Sequence, residues 1–336
     1  MVRPALICAF LFCLSRVGVT QTGAAYREAA AAFAHRDFAV AADQFAKAEE
    51  ESPAATNALL QRAKALVHLD RYPEAEESLR RYIKDHSAAA EPQFLLGYVL
   101  FRRNQPRESL AAYTAAAAIQ RPIADDFKIV GMDYVLLNDY PDAIRWLERS
   151  AKEDPRDAEV HYALGRAYYT QNSFDRAIAS FEQALKLNPK LSKAENNLGL
   201  AFAAVSRYED AEAAYRRAIQ LDTDGGKPSE QPYLNLAELL LARDHAPESL
   251  RLLDTASKID PKNVRIDELR GRALLSQNRL DEAAAAFRTA IAANPGNGSL
   301  HYQLARTLKR LGKDDEAARE FELSRTLLGA NSSPAR

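Results

Sequence analysis

Cysteine is nearly missing from this sequence, and its placement excludes more than its number does. The only two, Cys8 and Cys13, lie inside one apolar run at the extreme N-terminus. Everything after that run has no thiol, hence no disulfide framework, no cysteine metal site and no cysteine nucleophile. An excess of one charge is missing as well: 45 basic residues stand against 46 acidic ones, a formal net charge of −1. Bulk electrostatics therefore attract neither nucleic acid nor anionic lipid, and no nucleic-acid partner is expected. Glycine is sparse, at 13 of 336 residues, and no long stretch favours β-branched residues, which points to an all-helical chain. No glycine-rich phosphate loop, nucleophile elbow or zinc-type histidine pairing occurs. The six histidines are scattered. The chain is thus expected to have no catalytic residue, no cofactor and no metal, and not to be an enzyme.

The first twenty residues are set apart. Arg3 gives a positive start, Ala5 to Leu14 form the apolar run, and Gly18, Thr20 and Thr22 follow it. That is the layout of a signal peptide over residues 1–20, with cleavage near Thr20 or Gln21. A membrane span needs roughly 20 apolar residues, and Arg16 interrupts this run early. The alternative is an uncleaved anchor through residues 5–14, with Arg16 snorkelling to the interface. Neither cysteine makes a lipoprotein box, since Ile7 and Phe12 precede them where a small residue is required. Cleavage would remove Arg3 and Arg16 and leave the mature chain slightly more acidic. The expectation is an exported protein, periplasmic or secreted, whose mature chain does not insert in a membrane. Asn297-Gly298-Ser299 and Asn331-Ser332-Ser333 fit the glycosylation pattern, which matters only in a eukaryotic secretory pathway.

One period runs through the remainder. Ala29, Ala63, Gly97, Gly131, Gly165 and Gly199 are each 34 residues apart, as are Ala237, Gly271 and Ala305. A single gap of 38 between Gly199 and Ala237 holds four extra residues. Twelve positions on, a second small column reads Ala41, Ala75, Ser109, Ala143, Ala177, Ala211, Ser249, Ala283 and Ala317. Four further on, a third is uniformly large: Phe45, Leu79, Tyr113, Leu147, Phe181, Tyr215, Leu253, Phe287 and Phe321. Small residues facing each other let two antiparallel helices approach closely, and the large one fills their seam one turn later. Prolines at 53, 155, 189, 261 and 295 stop the second helix.

These residues resemble the tetratricopeptide repeat, a 34-residue helix–turn–helix unit. Residues 158–191 carry Leu164, Gly165, Tyr168, Ala177, Phe181, Ala184 and Pro189 in that family's order and spacing. Nine copies fit: 22–55, 56–89, 90–123, 124–157, 158–191, 192–225, 230–263, 264–297 and 298–331. Residues 226–229 form an inserted loop and 332–336 a flexible tail. The family's early tryptophan is replaced throughout, for example by His161 and His301. The last helix is expected to cap itself, with Asp314, Asp315, Glu316, Arg319, Glu320 and Glu322 on its outer face.

The resemblance implies an all-α, right-handed superhelical solenoid whose first helices line a concave groove that holds a protein or peptide segment. It further implies that positions two, five, six, nine and twelve of each copy face the groove. In copies five to seven those positions hold Tyr162, Arg166, Tyr169, Lys193, Asn196, Asn197 and Asn235. Rigid aromatics beside amides and cations suit an interface, and paired amides can bond the backbone of an extended segment. The same positions make copies two and three more apolar, through Leu60, Phe94, Tyr98 and Phe101. Copies eight and nine add Arg265, Glu268, Arg272, Tyr302 and Arg306. Function is accordingly expected to be that of a non-catalytic scaffold or adaptor. The alternatives are a structural assembly factor of a cell-envelope complex, such as a secretion, pilus or polysaccharide system, and an accessory subunit of an enzyme.

Overall fold

The computed structural model describes residues 23–51, 57–226 and 228–331. The expected signal peptide, Pro53, Lys227 and the tail lie outside these residues. Eighteen helices and no strand occur among them, and the helices follow in consecutive pairs. The chain divides into two compact units, one ending at Gln171 and the other beginning at Asn172. The first unit holds α1 (Ala24–Ala34), α2 (Phe38–Glu51), α3 (Ala58–His68), α4 (Tyr72–Asp85) and α5 (Ala90–Arg102). It continues with α6 (Pro106–Ala117), α7 (Ala124–Leu136), α8 (Tyr140–Glu153) and α9 (Ala158–Thr170). The second holds α10 (Phe174–Leu187), α11 (Ser192–Ala204), α12 (Tyr208–Asp224), α13 (Gln231–Ala242) and α14 (Ala246–Ile259). It ends with α15 (Val264–Ser276), α16 (Leu280–Ala293), α17 (Gly298–Arg310) and α18 (Asp314–Asn331). Within each unit, every helix packs on the next, and the first helices α5, α7 and α9, and α11, α13 and α15, also touch in succession.

The columns read from the sequence are the cores of these hairpins. All nine residues of the second column are buried, and so are the large residues of the third up to Phe287. Phe321 is only partly buried. Glycine in the first column is a matter of space. A Cβ on Gly97 would sit 2.6 Å from the Tyr113 ring, and one on Gly199 would sit 2.5 Å from the Tyr215 ring. Gly131 and Gly271 meet Leu147 and Phe287 in the same way. The seam-filling side chain thus lies against the bare backbone of the facing helix, closer than ordinary packing allows.

Proline ends second helices as expected. α8, α10, α14 and α16 each stop two residues before their proline, and the intervening residue is extended, as steric clash with the proline ring demands. Where Thr223 replaces proline, α12 runs on to Asp224. The four extra residues before α13 are therefore taken up partly by helix, before Gly226 turns the chain at φ 66°.

A further column was not read from the sequence. Arg36, Asp70, Asn104, Asn138, Asn172, Ser206, Asp244, Asn278 and Gly312 all have φ between 54° and 74°. Each closes the first helix of its pair. Within each unit the amide one residue later donates back to the carbonyl five before it, as from Asp37 to Ala32, Gln105 to Leu100 and Lys313 to Leu308. This is the Schellman ending, which needs a left-handed residue and so favours Asn, Asp or Gly.

Candidate functional site

Polar side chains on three successive first helices of the second unit join into one hydrogen-bonded row. On α11, the Asn196 amide donates to Asn197 Oδ1 at 3.4 Å, and Asn196 Oδ1 accepts from Asn235 Nδ2 on α13 at 2.9 Å. Asn235 Oδ1 in turn accepts from Arg265 Nη1 on α15 at 3.1 Å. The other arm of Arg265 pairs with Glu238, one turn along α13 from Asn235, and Arg272 Nη1 reaches the same carboxylate at 3.1 Å. Burial would push the Glu238 carboxyl up, but the hydrogen bonds from Arg265 and Arg272 outweigh it and hold the group below its ordinary value. Two guanidinium groups thus share one carboxylate, and Glu268 stands between them on the same face of α15.

The expected site residues separate at this point. Tyr162, Arg166 and Tyr169 lie on α9 in the first unit; Lys193, Asn196, Asn197 and Asn235 lie in the second. The Arg166 guanidinium sits 6.0 Å from the Tyr162 ring centroid, at the limit of a cation–π contact. Arg166 and Lys193 are exposed, whereas Tyr162, Tyr169, Asn196 and Asn197 are half-buried. Asn235, expected to face the groove, is 7% exposed and bonded at both ends of its carboxamide. It is a strut. Leu60 and Phe94 also change role, since both are buried in the hydrophobic core of the first unit, while Tyr98 and Phe101 are only partly buried at its edge. Glu238 was missed, although it stands at the ninth position of its copy, where the family pattern places a groove residue.

The two matching histidines share one bond. His161 Nε2 lies 3.2 Å from the Pro155 carbonyl and His301 Nε2 lies 3.1 Å from that of Pro295. Each ring clips the loop that enters its helix, which accounts for a polar ring where tryptophan would otherwise pack. His301 Nδ1 also meets Glu320 at 2.6 Å. Among the described residues no group of three His, Cys, Asp or Glu side chains is arranged to hold a metal ion. No described helix is long and apolar enough to cross a membrane.

In the first unit, a cavity of about 280 Å³ lies between α4, α5 and α6, lined by Leu96, Leu100 and Ala112 among others. Arg80 and Glu108 pair across its rim at 3.0 Å.

Comparison with known proteins gives a consistent picture. A family model described as tetratricopeptide repeat matches residues 26–92, 131–192, 162–226 and 234–298, and a second with the same description matches 274–325. Among solved structures, the chain is similar to the C-terminal part of a TPR repeat-containing protein from Cytophaga hutchinsonii. The two are 21% identical with a TM-score of 0.59, over 73% of this chain and 98% of that one. A tetratricopeptide repeat protein from Parabacteroides merdae is 19% identical with a TM-score of 0.56, over 75% and 98% of the two chains. The Cut9–Hcn1 hetero-tetramer of the APC/C matches at 14% identity and a TM-score of 0.56, over 85% of this chain and 56% of that one. At such identities the likeness extends to the fold alone. No curated protein sequence matches.

Proposed function

Since the chain belongs to the tetratricopeptide-repeat family, we propose that it is a non-catalytic scaffold that holds an extended segment of another protein. The segment lies along the first helices of the second unit. The observation that carries this reading is the row from Asn197 through Asn196, Asn235, Arg265 and Glu238 to Arg272. Its internal bonds fix the side chains before any ligand arrives, so little rotamer entropy is lost on binding. Its guanidinium groups can bond carbonyl or carboxylate oxygens of the segment. Tyr162, Arg166 and Tyr169 remain proposed contacts on the first unit. We further read the array as nine copies with the boundaries given above, in a protein exported by residues 1–20 and working in the periplasm or as a secreted protein.

The test is differential capture from the source organism. Parent and Arg265→Ala/Arg272→Ala forms are cross-linked in place, and the proteins recovered are compared. A partner lost with the double variant supports the reading. Equal recovery by both forms removes the row from the binding surface. A second reading, that of an assembly factor using its outer surface, is favoured by the cavity rimmed by Arg80 and Glu108. In that case Leu96→Arg, not the arginine pair, would abolish capture.

A further inference from the structure

Hairpins three and seven carry serine in the second small column, and both serines reach the same acceptor. Ser249 Oγ donates to the Ala237 carbonyl at 2.8 Å, and Ser109 Oγ to the Gly97 carbonyl at 2.9 Å. A hydroxyl has one hydrogen. Ser109 nevertheless makes a second contact, at 2.5 Å, with Asp133 Oδ2 on α7. Ser109 can donate to only one of these two acceptors, and where its hydrogen stays on Gly97, as its counterpart's is on Ala237, Asp133 is the group that can supply the hydrogen of the second bond.

The surroundings of Asp133 agree. Its residue is 0% exposed, and its other oxygen, Oδ1, is buried without a partner. It stands where the other copies place Ala31, Ala65, Val99, Ala167, Ala201, Leu239, Ala273 and Thr307. We propose that Asp133 and Ser109 form a proton-operated lock between the third and fourth hairpins of the first unit, closed while the carboxyl keeps its hydrogen. When that proton leaves to solvent, Ser109 must turn its hydrogen from Gly97 to the carboxylate, and a bare charge is left in an apolar seam.

The groups that face this seam do not offset such a charge. On α7 itself, Asp126 and Asp125 are also acids; α5 and α6 contribute Tyr98 and Tyr113, whose hydroxyl is raised by burial and by these acids. From α8, Arg149 lies over the Phe127 ring, and Asp157 at the start of α9 pairs with Lys128. Neither is among the influences on Asp133, whose carboxyl is pushed up to about 7 by burial, against the opposite pull of the Ser109 hydrogen bond. The folded state therefore binds more protons than the unfolded chain between roughly pH 4 and pH 7, and the lock opens as pH rises through that window.

Hydrogen exchange of the full-length protein, read by mass spectrometry and corrected for intrinsic rates, tests this. Amides of α6 and α7 should open about tenfold more often per pH unit between about pH 5 and pH 7, the slope of one linked proton. Peptides of α14 and α15, which carry Ser249 without an acid, should show no such slope. Asp133→Asn should lower the slope of α6 and α7 by about one proton between about pH 6 and pH 7, leaving below that range what Asp126 on the same helix contributes. So should Asp133→Ala, which matches the column and keeps the test open should the amide fold poorly. A flat parent profile overturns the lock, as does an equal slope in α14 and α15, or a slope between about pH 6 and pH 7 that both variants leave unchanged.

Discussion

The two units are built on one packing scheme, yet they treat buried ionisable groups differently. In the second unit, Glu195 accepts from Arg217 Nε at 2.9 Å and His301 meets Glu320. In the first, Glu76 is likewise held by Arg80 and Arg103, but Asp126 and Asp133 are almost wholly buried with no cation bonded to them. Burial drives Asp126 up to about 6, although the Ile123 amide it accepts pulls the other way. The period dictates shape, because a column tolerates one size of side chain. It does not dictate polarity, and a carboxyl of suitable volume enters a seam meant for alanine.

Exchanging the seam between units is the strongest way to break this comparison. Asp133→Ala should stabilise the first unit above pH 7, where the folded carboxyl is ionised at a cost. Each tenfold change in proton affinity corresponds to about 1.4 kcal/mol. The gain therefore has a ceiling of about 4 kcal/mol and disappears near pH 4, where both states are protonated. Ala273→Asp places the same acid opposite Ser249 and should make the second unit lose stability as pH rises from 5 to 8. Thermal unfolding at several pH values measures both. A second unit indifferent to Ala273→Asp would show that the seam, not the acid, is special.

The glycine column gives the next largest effect, and here the units should agree. Gly97→Ala in the first and Gly199→Ala in the second each drive a Cβ into a tyrosine ring. Overpacking of this kind costs about 1–3 kcal/mol, set against a gain of under about 1 kcal/mol in helix propensity. Urea denaturation should show a net loss in both. A midpoint equal to the parent's would mean that the ring slides aside, and that glycine is incidental.

The row of amides should be worth less, and only in the second unit. Asn235→Ala strands Asn196 Oδ1 and one arm of Arg265, at about 1–2 kcal/mol. Arg166→Ala on exposed α9 should stay within about 0.5 kcal/mol. Equal effects of the two substitutions, measured by denaturation, would demote the row to ordinary surface.

How much of this was legible follows from how each feature is encoded. Hairpins and their cores could be read because small and large residues recur every 34 positions, and one residue type suffices to mark each column. The turn column was equally open to reading: Asp70, Asn104, Asn138, Asn172, Asp244 and Asn278 share that period. A search for apolar columns passes over it. Asp133 was hidden for a different reason, since a lone carboxylate on a helix reads as solvated until its column is compared with Ala167 and Ala273. For the site, the amides were found but not their bonding, because position in a copy says which face a side chain takes and not what it meets there. The boundary between units at Gln171 leaves no mark in the pattern at all.

The smallest effect concerns the turn column, where each unit holds one residue unsuited to it. Arg36 in the first unit has φ 62° and Ser206 in the second φ 61°, while most other copies place Asn, Asp or Gly there. A left-handed backbone costs an ordinary L-residue about 1–2 kcal/mol, and glycine escapes that cost but brings more freedom to the unfolded chain. Arg36→Gly and Ser206→Gly should therefore each stabilise by about 0.5–1 kcal/mol. Asn138→Ala, which removes a tolerant residue from the same position, should destabilise by a similar amount. Because the Schellman bonds are alike on both sides of Gln171, the two gains should be equal within error. A gain at Ser206 without one at Arg36 would mean that the first hairpin frays, so that its turn is not held left-handed for long enough to be strained.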